Sequence, residues 1–502
     1  MRKKEPTDRD GTRRGFTRRE LLQWVPAAGA LAATSAASDA IARTMGHGSD
    51  SPDTQARATA PELETSALDM PFRKKQEAIT DCTWRRYWED RRGTPPRSSL
   101  EQLLGNVSLA DSRIGLVNWP ILDETEDLNF GHFSFPMSPF NTTADDGMQQ
   151  FLLCSNSRMI ASFREREYLE QVHRRIFDRA VWAMDAGRIG TAVVEFDRAF
   201  TDVKVARIVQ LLAYYGIKTI IWGNELNDPN APWRDDLPSL FEVFTSAAAV
   251  KKAYGLRDVD MCLPGIAYYA HGEYLQGMLR TFKDLQRRKF PKDPDNLPFQ
   301  RIADHFYGPL EQFLPRVQMM KGIISTEGLG QITYDVTEVG NPGVEPGQPP
   351  VSDQQLAEGF IPQVAALAMA SAAVGRVLYY SLLDSSDQHS LTSISNGRLV
   401  MKPSYRSLVV IAKLLAGFKR IGLVDEKDRA RVEGTRSDGK DFMVAWSKVA
   451  DQDLWLNVPE KTQVFDPLGQ ALNPERPNQV ALKPKQHPAM GGPARILVGK
   501  FL

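Results

Sequence analysis

Between residue 112 and about 415, short apolar runs alternate with longer stretches of helical spacing. A buried parallel strand reads as a brief β-branched run, whereas a helix repeats its apolar positions every three or four residues. Residues 114–119, 191–196, 218–222, 259–266, 301–306, 332–336 and 376–383 have the first pattern. Residues 158–162 form the weakest run and bring the strands to eight. Glu165 to Ala186 has the second pattern, with Leu169, Val172, Ile176, Ala180 and Met184 near helical spacing. So does Val203 to Tyr215, which Gly216 stops as a left-handed C-cap would. Ser352 and Gln355 read as a capping box that opens a helix through Val374, closed by Gly375. This order of strand and helix predicts an α/β fold, a (β/α)8 TIM barrel over 112–415.

Past about 415 the helical pattern stops. Asp441 to Ser447 alternates as a half-buried strand does, and 453–458, 462–465 and 494–499 follow in kind. Asp466-Pro-Leu-Gly469 reads as the turn between two of them. Residues 416–502 are therefore expected to form a small C-terminal antiparallel β domain, sandwich-like and accessory to the barrel. Ahead of the barrel, 43–70 is polar and rich in Ala and Pro, as a disordered linker is. Residues 71–111 carry Trp84, Tyr87 and Trp88 among many charges and read as an N-terminal extension wrapping the main domain.

Charge narrows the partners. The 502 residues hold 62 basic and 62 acidic side chains, so nothing points to nucleic acid or an anionic membrane. Cys82, Cys154 and Cys262 allow at most one disulfide and show no C-x-x-C spacing. The seven His show no H-x-x-x-H pattern, so a zinc site has no support and no cofactor or metal is expected.

Residues 1–42 stand outside the fold. Thr12-Arg-Arg-Gly-Phe16 and Thr17-Arg-Arg-Glu-Leu-Leu22 are adjacent twin-arginine candidates, followed by a modestly apolar stretch and by Ala40-Ile41-Ala42. The segment resembles a bacterial twin-arginine (Tat) export signal, which implies the Tat translocase as a partner and a periplasmic or extracellular location. A stable membrane anchor is disfavoured, because the run is short, Ala-rich and interrupted by Pro26. A disordered basic tail is the plainer alternative.

Two glutamates carry the candidate chemistry. Glu225 ends Lys218-Thr-Ile-Ile-Trp-Gly-Asn-Glu225, and Glu338 ends Ile332-Thr-Tyr-Asp-Val-Thr-Glu338. A carboxylate where a barrel strand stops lies at the face where such barrels build active sites. The two are about 113 residues apart, which suits three βα units of about 30 residues or more. Counting the apolar runs independently puts Glu225 after strand four and Glu338 after strand seven. Paired carboxyl groups about 5–5.5 Å apart split a glycosidic bond, one as acid and one as nucleophile.

Trp222-Gly-Asn-Glu225 resembles the strand-four signature of the clan A glycoside hydrolases, and Thr337-Glu338-Val-Gly340 their strand-seven nucleophile motif. His305-Phe-Tyr307 resembles the His/Tyr position on strand six of that clan. The resemblance covers roughly 112–415, with family 39, family 5 and family 79 enzymes all conceivable. It implies a retaining hydrolase acting on a β-linked glycoside or polysaccharide. Glu225 would be acid/base and Glu338 nucleophile, with Asn224, His305 and Tyr307 binding substrate. One departure concerns strand eight, where many clan members carry a Trp platform. Here the segment reads Tyr379-Tyr-Ser-Leu-Leu-Asp384, which leaves the platform to a Tyr or to no residue.

Other readings stand beside these. Glu195 and Asp197 are rivals for the acid role, although Asp197 and Arg198 read better as a structural pair. Asp304 and Asp335 alternate away from the substrate, toward helices or neighbouring strands. His305 also reads as a satisfied core histidine, and Tyr268, Tyr269 and His271 as cleft lining or loop packing. The stiff loop 341–350 reads as a wall of the cleft. A barrel that binds carbohydrate without cleaving it is the alternative from another class.

Overall fold

The structure is a computed structural model. It describes residues 97–105, 107, 112–118, 157–162, 189–195, single positions between 205 and 213, and 218–501 except 230, 232, 268–271, 345–348, 381–388 and 396–397. The proposed signal and linker lie outside these residues, as do most of the extension, the helix at 165–186, Asp197, Arg198, Tyr268, Tyr269 and His271.

Eight parallel strands close into a barrel: β1 Ile114–Asn118, β2 Ser157–Ser162, β3 Ile189–Glu195, β4 Thr219–Trp222, β5 Asp260–Ile266, β6 Arg301–Phe306, β7 Thr333–Val339 and β8 Val374–Tyr380. β8 pairs back onto β1 through Ile114↔Val377 to Val117↔Tyr380, which leaves no sheet edge. Helices Leu237–Ala253, Glu273–Lys289 and Phe313–Thr326 follow β4, β5 and β6. Their apolar faces meet the outward residues of the strands, such as Ile220, Leu263, Ile302 and Val336, in one large core.

The capping box at Ser352 and Gln355 is formed, but the helix it opens differs from expectation. Asp353–Gln355 runs into a π-helical turn, Leu356–Phe360, and then into Ile361–Ala370, which ends at Ser371. Val374 and Gly375 already belong to β8. Gly375 is no helix cap: a Cβ there would sit 2.4 Å from an Asp335 carboxylate oxygen and 2.6 Å from Thr333 Cγ2. Its lack of a side chain serves the close approach of β7 to β8.

Inside the barrel the side chains stack in layers, as the alternation of each strand requires. The lowest layer is polar. Arg376 donates to Thr191 Oγ1 at 2.7 Å and also reaches Thr219 Oγ1, while Arg301 pairs with Asp335 at 2.9 Å and with Asp260 at 2.7 Å. Above it lie Val193, Ile221, Cys262, Ala303 and Leu378. The upper layer is the candidate site.

After β8, β9 Thr392–Ser395 and β10 Arg398–Met401 form a small antiparallel pair. Residues 418–499 add eight strands: β11 Phe418–Asp425, β12 Arg429–Arg436, β13 Asp441–Ser447, β14 Leu454–Asn457, β15 Gln463–Phe465, β16 Ala471–Leu472, β17 Gln479–Leu482 and β18 Arg495–Gly499. β14 and β17 form a separate two-stranded antiparallel sheet, and the other six form one antiparallel sheet in the order β11-β12-β13-β18-β15-β16. One face, with Val432, Phe442, Val444, Trp446 and Ile496, joins the barrel core beside helix Pro403–Leu415. The other, with Met443, Ala445 and Leu497, packs against Leu456, Val480 and Leu482 of the two-stranded sheet. From the extension, helix Ser99–Leu104 buries Leu100 and Leu104 in the same core. Its Glu101 meets Arg406 and Lys413 of helix Pro403–Leu415.

Candidate active site

Two β-bulges aim the upper layer inward. A strand alternates its side chains, and a bulge of one residue reverses the phase beyond it. In β7, Asp335 points into the barrel and Val336 outward to the core. Strict alternation would then turn Glu338 outward. Instead Asp304 pairs with Val336 and His305 with Glu338, so Thr337 is an extra residue on β7. Its hydroxyl reaches the Asp304 carbonyl at 3.4 Å. Beyond the bulge Glu338 faces inward, fully buried. β5 repeats the device: Leu263 pairs with Ile302 and Ile266 with Asp304, which leaves one extra residue at Pro264-Gly265. Proline is tolerated within sheets at such bulges.

Gly265 is then the floor beneath His305. A Cβ on Gly265 would lie 2.1 Å from His305 Nε2, so the ring occupies the space a side chain would need. The ring is fully buried, and its Nδ1 is 2.8 Å from Glu225 Oε1 and 3.3 Å from Glu338 Oε2. Tyr307 donates its hydroxyl to Glu338 Oε2 at 2.5 Å. The ring of Tyr307 lies over Gly340, where a Cβ would come within 2.0 Å of it.

Glu225 arrives differently. It lies beyond β4, in a turn where Gly223 has φ 89° and Glu225 itself φ 44°. A positive φ is unfavourable for a side chain with a Cβ, and such strain concentrates at functional sites. Neighbours hold the turn. Asn224 bridges to Gly265 as an extra parallel pair, Asp228 N–H donates to the Glu225 carbonyl at 2.7 Å, and Asn227 Oδ1 accepts from Ala267 N–H at 2.7 Å. Asn224 Oδ1 is buried with no hydrogen-bond partner among the described residues.

The structure thus brings Glu225, His305, Tyr307 and Glu338 together at the carboxyl ends of β4, β6 and β7, with Asn224 beside them. His305 sits beneath the two carboxylates rather than on an open surface. Its nitrogen and one carboxylate oxygen from each glutamate lie within 4.8 Å of one another. Of these facing atoms, His305 Nδ1 hydrogen-bonds Glu225 Oε1, and Glu338 Oε2 accepts from Tyr307. Asp304 faces the helix layer, as alternation predicts, and takes a bidentate pair from Arg316 at 2.7 and 2.9 Å. Tyr334 also donates to it at 2.6 Å. Burial and the Asp304 charge push the Tyr334 hydroxyl well above the usual tyrosine range. Asp335 points to the lower barrel end, away from the site.

At strand eight, Tyr379 turns outward into the helix-side core and Tyr380 inward. Burial pushes the Tyr379 hydroxyl well up. The Tyr380 ring packs edge-on against Tyr307, with centroids 6.2 Å apart, and against His389 at 5.5 Å; His389 meets Tyr307 at 5.4 Å. His389 was not foreseen from sequence, because no motif surrounds it and its place depends on the chain path after β8. The bulge at Pro264-Gly265 did have a signal, a Pro-Gly pair inside an apolar run. Of the loop after β7, residues 341–344 and 349–350 are described. Pro342–Val344 forms a 3-10 turn, and the Pro349 carbonyl lies 3.2 Å from His487 Nε2.

A TIM barrel with two juxtaposed carboxylates at its carboxyl-end mouth is the class that this fold and geometry define. No protein-family model matches the chain, and no curated protein matches it. Among solved structures it is similar to a family 39 glycoside hydrolase from the gut symbiont Bacteroides cellulosilyticus WH2. The TM-score is 0.52 at 14% identity, over 81% of this chain and 83% of that one. It is less similar to a glucosidase from Croceicoccus marinus, with TM-score 0.46 and 12% identity over 65% and 82% of the two chains. A GH51 arabinofuranosidase from Xanthomonas axonopodis pv. citri gives TM-score 0.46 and 11% identity over 78% and 97%. At these identities the likeness is one of fold.

Proposed function

We infer that this chain is a retaining glycoside hydrolase acting on a β-linked glycoside or polysaccharide. The observation that carries the reading is the closeness of the carboxylates, whose facing oxygens lie within 4.8 Å. Retaining enzymes hold the pair about 5–5.5 Å apart, whereas inverting ones leave about 6.5–9.5 Å for a water. In the first half-reaction the Glu338 carboxylate attacks the anomeric carbon. The bond from that carbon to the leaving oxygen breaks, and Glu225 gives its proton to that oxygen. In the second, Glu225 takes a proton from water, the water oxygen attacks the anomeric carbon, and the bond to Glu338 breaks. Asn224, beside Glu225, is suited to the sugar 2-hydroxyl. Tyr307 holds Glu338 through its hydroxyl. The twin-arginine segment supports export through the Tat translocase to the periplasm or beyond. No step needs a cofactor.

Hydrolysis of an aryl β-glycoside panel tests this. Glu225→Ala is expected to cost about 100- to 10,000-fold with poor leaving groups, and azide to restore turnover with activated ones. A fluorinated glycoside is expected to label Glu338, read by mass spectrometry. Wild type as inert as Glu338→Ala on every sugar would leave a barrel that binds glycans without cleaving them.

A further inference from the structure

β6 and β7 deliver Tyr307 and Glu338, and one short segment from outside the barrel touches the chain leaving each strand. We propose that His487-Pro488-Ala489, between β17 and β18, braces the exits of β6 and β7. His487 is the positioning residue of this brace, holding the loop that walls the substrate beside Glu338. This rests on the proposed function and deepens it.

At β6, the Ala489 carbonyl accepts from the Leu310 N–H at 2.8 Å, just past Tyr307. At β7, His487 Nε2 lies 3.2 Å from the Pro349 carbonyl. The Ala489 N–H meets His487 Nδ1 at 3.1 Å. A carbonyl can only accept and a backbone N–H can only donate, so both contacts select the same neutral tautomer, with the proton on Nε2. The buried ring therefore donates to the loop with one nitrogen and closes its own turn with the other. The brace is also fixed without His487. Gln363, fully buried in helix Ile361–Ala370, accepts from the Gly491 N–H at 3.0 Å and donates to the Gly492 carbonyl at 2.6 Å. Met490 lies over Gly359, where a Cβ would come within 2.8 Å of its sulfur. With the brace so anchored, the loop is the part that yields when the His487 contact is lost.

The Pro349 carbonyl is also where the loop folds back on itself. A Cβ on Gly343 would sit 2.7 Å from that oxygen and 2.6 Å from Val351 N. The Gly343 N–H donates to Asn341 Oδ1 at 2.9 Å, and Gly340 before it lies against the Tyr307 ring. Release of Pro349 therefore loosens 341–344, directly beyond the end of β7. Glu338 and Tyr307 keep their places, because β6 and β7 pair directly through His305↔Glu338 and Phe306↔Val339. Loss of the His487 donor should thus weaken substrate binding and spare the chemical steps, which raises KM with kcat unchanged.

Kinetics on the best aryl glycoside of the panel separate positioning from mere stability. His487→Ala and His487→Asn are expected to raise KM about tenfold and to keep kcat within about twofold. Asn places an oxygen near Nδ1, so it closes the turn but does not reach Pro349. His487→Gln carries an N–H near the place of Nε2 and is expected to return KM to within about twofold of wild type. Unchanged KM in Ala and Asn, whatever their melting temperatures, overturns the proposal. Rescue by Asn and not by Gln overturns it too, and this pair decides the matter if the Ala variant does not fold. A second readout needs no turnover. In protein labelled with 15N-histidine, the signals that His487→Gln removes are expected to be those of an imidazole protonated on Nε2. Exchange of the Gly343 N–H is expected to quicken about tenfold in the Asn variant and to recover in Gln. A proton on Nδ1, or equal exchange in all three proteins, refutes the brace even if no glycoside is cleaved. Absence of glycoside hydrolysis by wild type would instead refute the proposed function.

Discussion

Gly265→Ala is the sharpest perturbation the site offers, because it adds one carbon and removes no chemical group. The new Cβ would lie 2.1 Å from His305 Nε2 and 2.6 Å from both Cδ2 and Cε1. Ordinary contact begins near 3.4 Å, so the ring must recede by about 1.3 Å or the β5 bulge must shift. Either movement breaks the shared contact of Nδ1 with Glu225 and Glu338. Overpacking of this kind costs about 1–3 kcal/mol of stability. A misplacement of about 1 Å costs on the order of 100-fold in rate. The expected outcome is a folded protein with a modestly lower melting temperature and kcat/KM down about 100-fold, measured by calorimetry and by aryl glycoside hydrolysis. Gly277→Ala is the control. Gly277 lies inside helix Glu273–Lys289 with nothing within 4 Å of its added Cβ. Full activity in Gly265→Ala would refute the reasoning that the glycine exists to seat the imidazole.

Three further outcomes follow from other parts of the structure. Gly277→Ala is expected to stabilise the protein by about 0.5–1 kcal/mol, since Ala suits a helix interior better, with hydrolysis unchanged; a lower melting temperature in calorimetry would contradict this. Asp304→Ala removes a fully buried carboxylate from Arg316 and Tyr334 and is expected to cost about 3–5 kcal/mol, read by denaturant unfolding. Burial pushes the Glu101 carboxyl up, but Lys413, the Ser98 backbone N–H and Arg406 outweigh it and hold it below the usual carboxylate range. A depressed carboxylate contributes stability above its unfolded pKa and loses it as pH falls through the folded value. Glu101→Gln should therefore lower stability by about 1–2 kcal/mol at neutral pH, because the partners are partly exposed. Melting curves of the two proteins should converge as pH falls below the usual carboxylate range.

The β-branched runs and the helical spacing between them determined the eight strands and their order, because burial on both faces leaves a strand few polar positions. The C-terminal strands at 441–447 and 494–499 were legible by alternation. β12 was not, since its sequence Arg-Ala-Arg-Val-Glu-Gly-Thr-Arg places charge at half its positions and buries the small residues between them. The helix expected to reach Val374 stops at Ala370, because Gly375 serves a strand contact that no local pattern displays.

At the site, sequence by itself determined which residue types arrive at which strand ends: Asn224 and Glu225 after β4, His305 and Tyr307 at β6, Glu338 on β7. Only the tertiary structure decided their directions. By strict alternation Glu338 would face the helices, and the bulge at Thr337 turns it inward through pairing with β6. A bulge is a relation between two strands, so neither strand states it alone. The same holds for the imidazole of His305, whose place between two carboxylates depends on a missing side chain on a third strand.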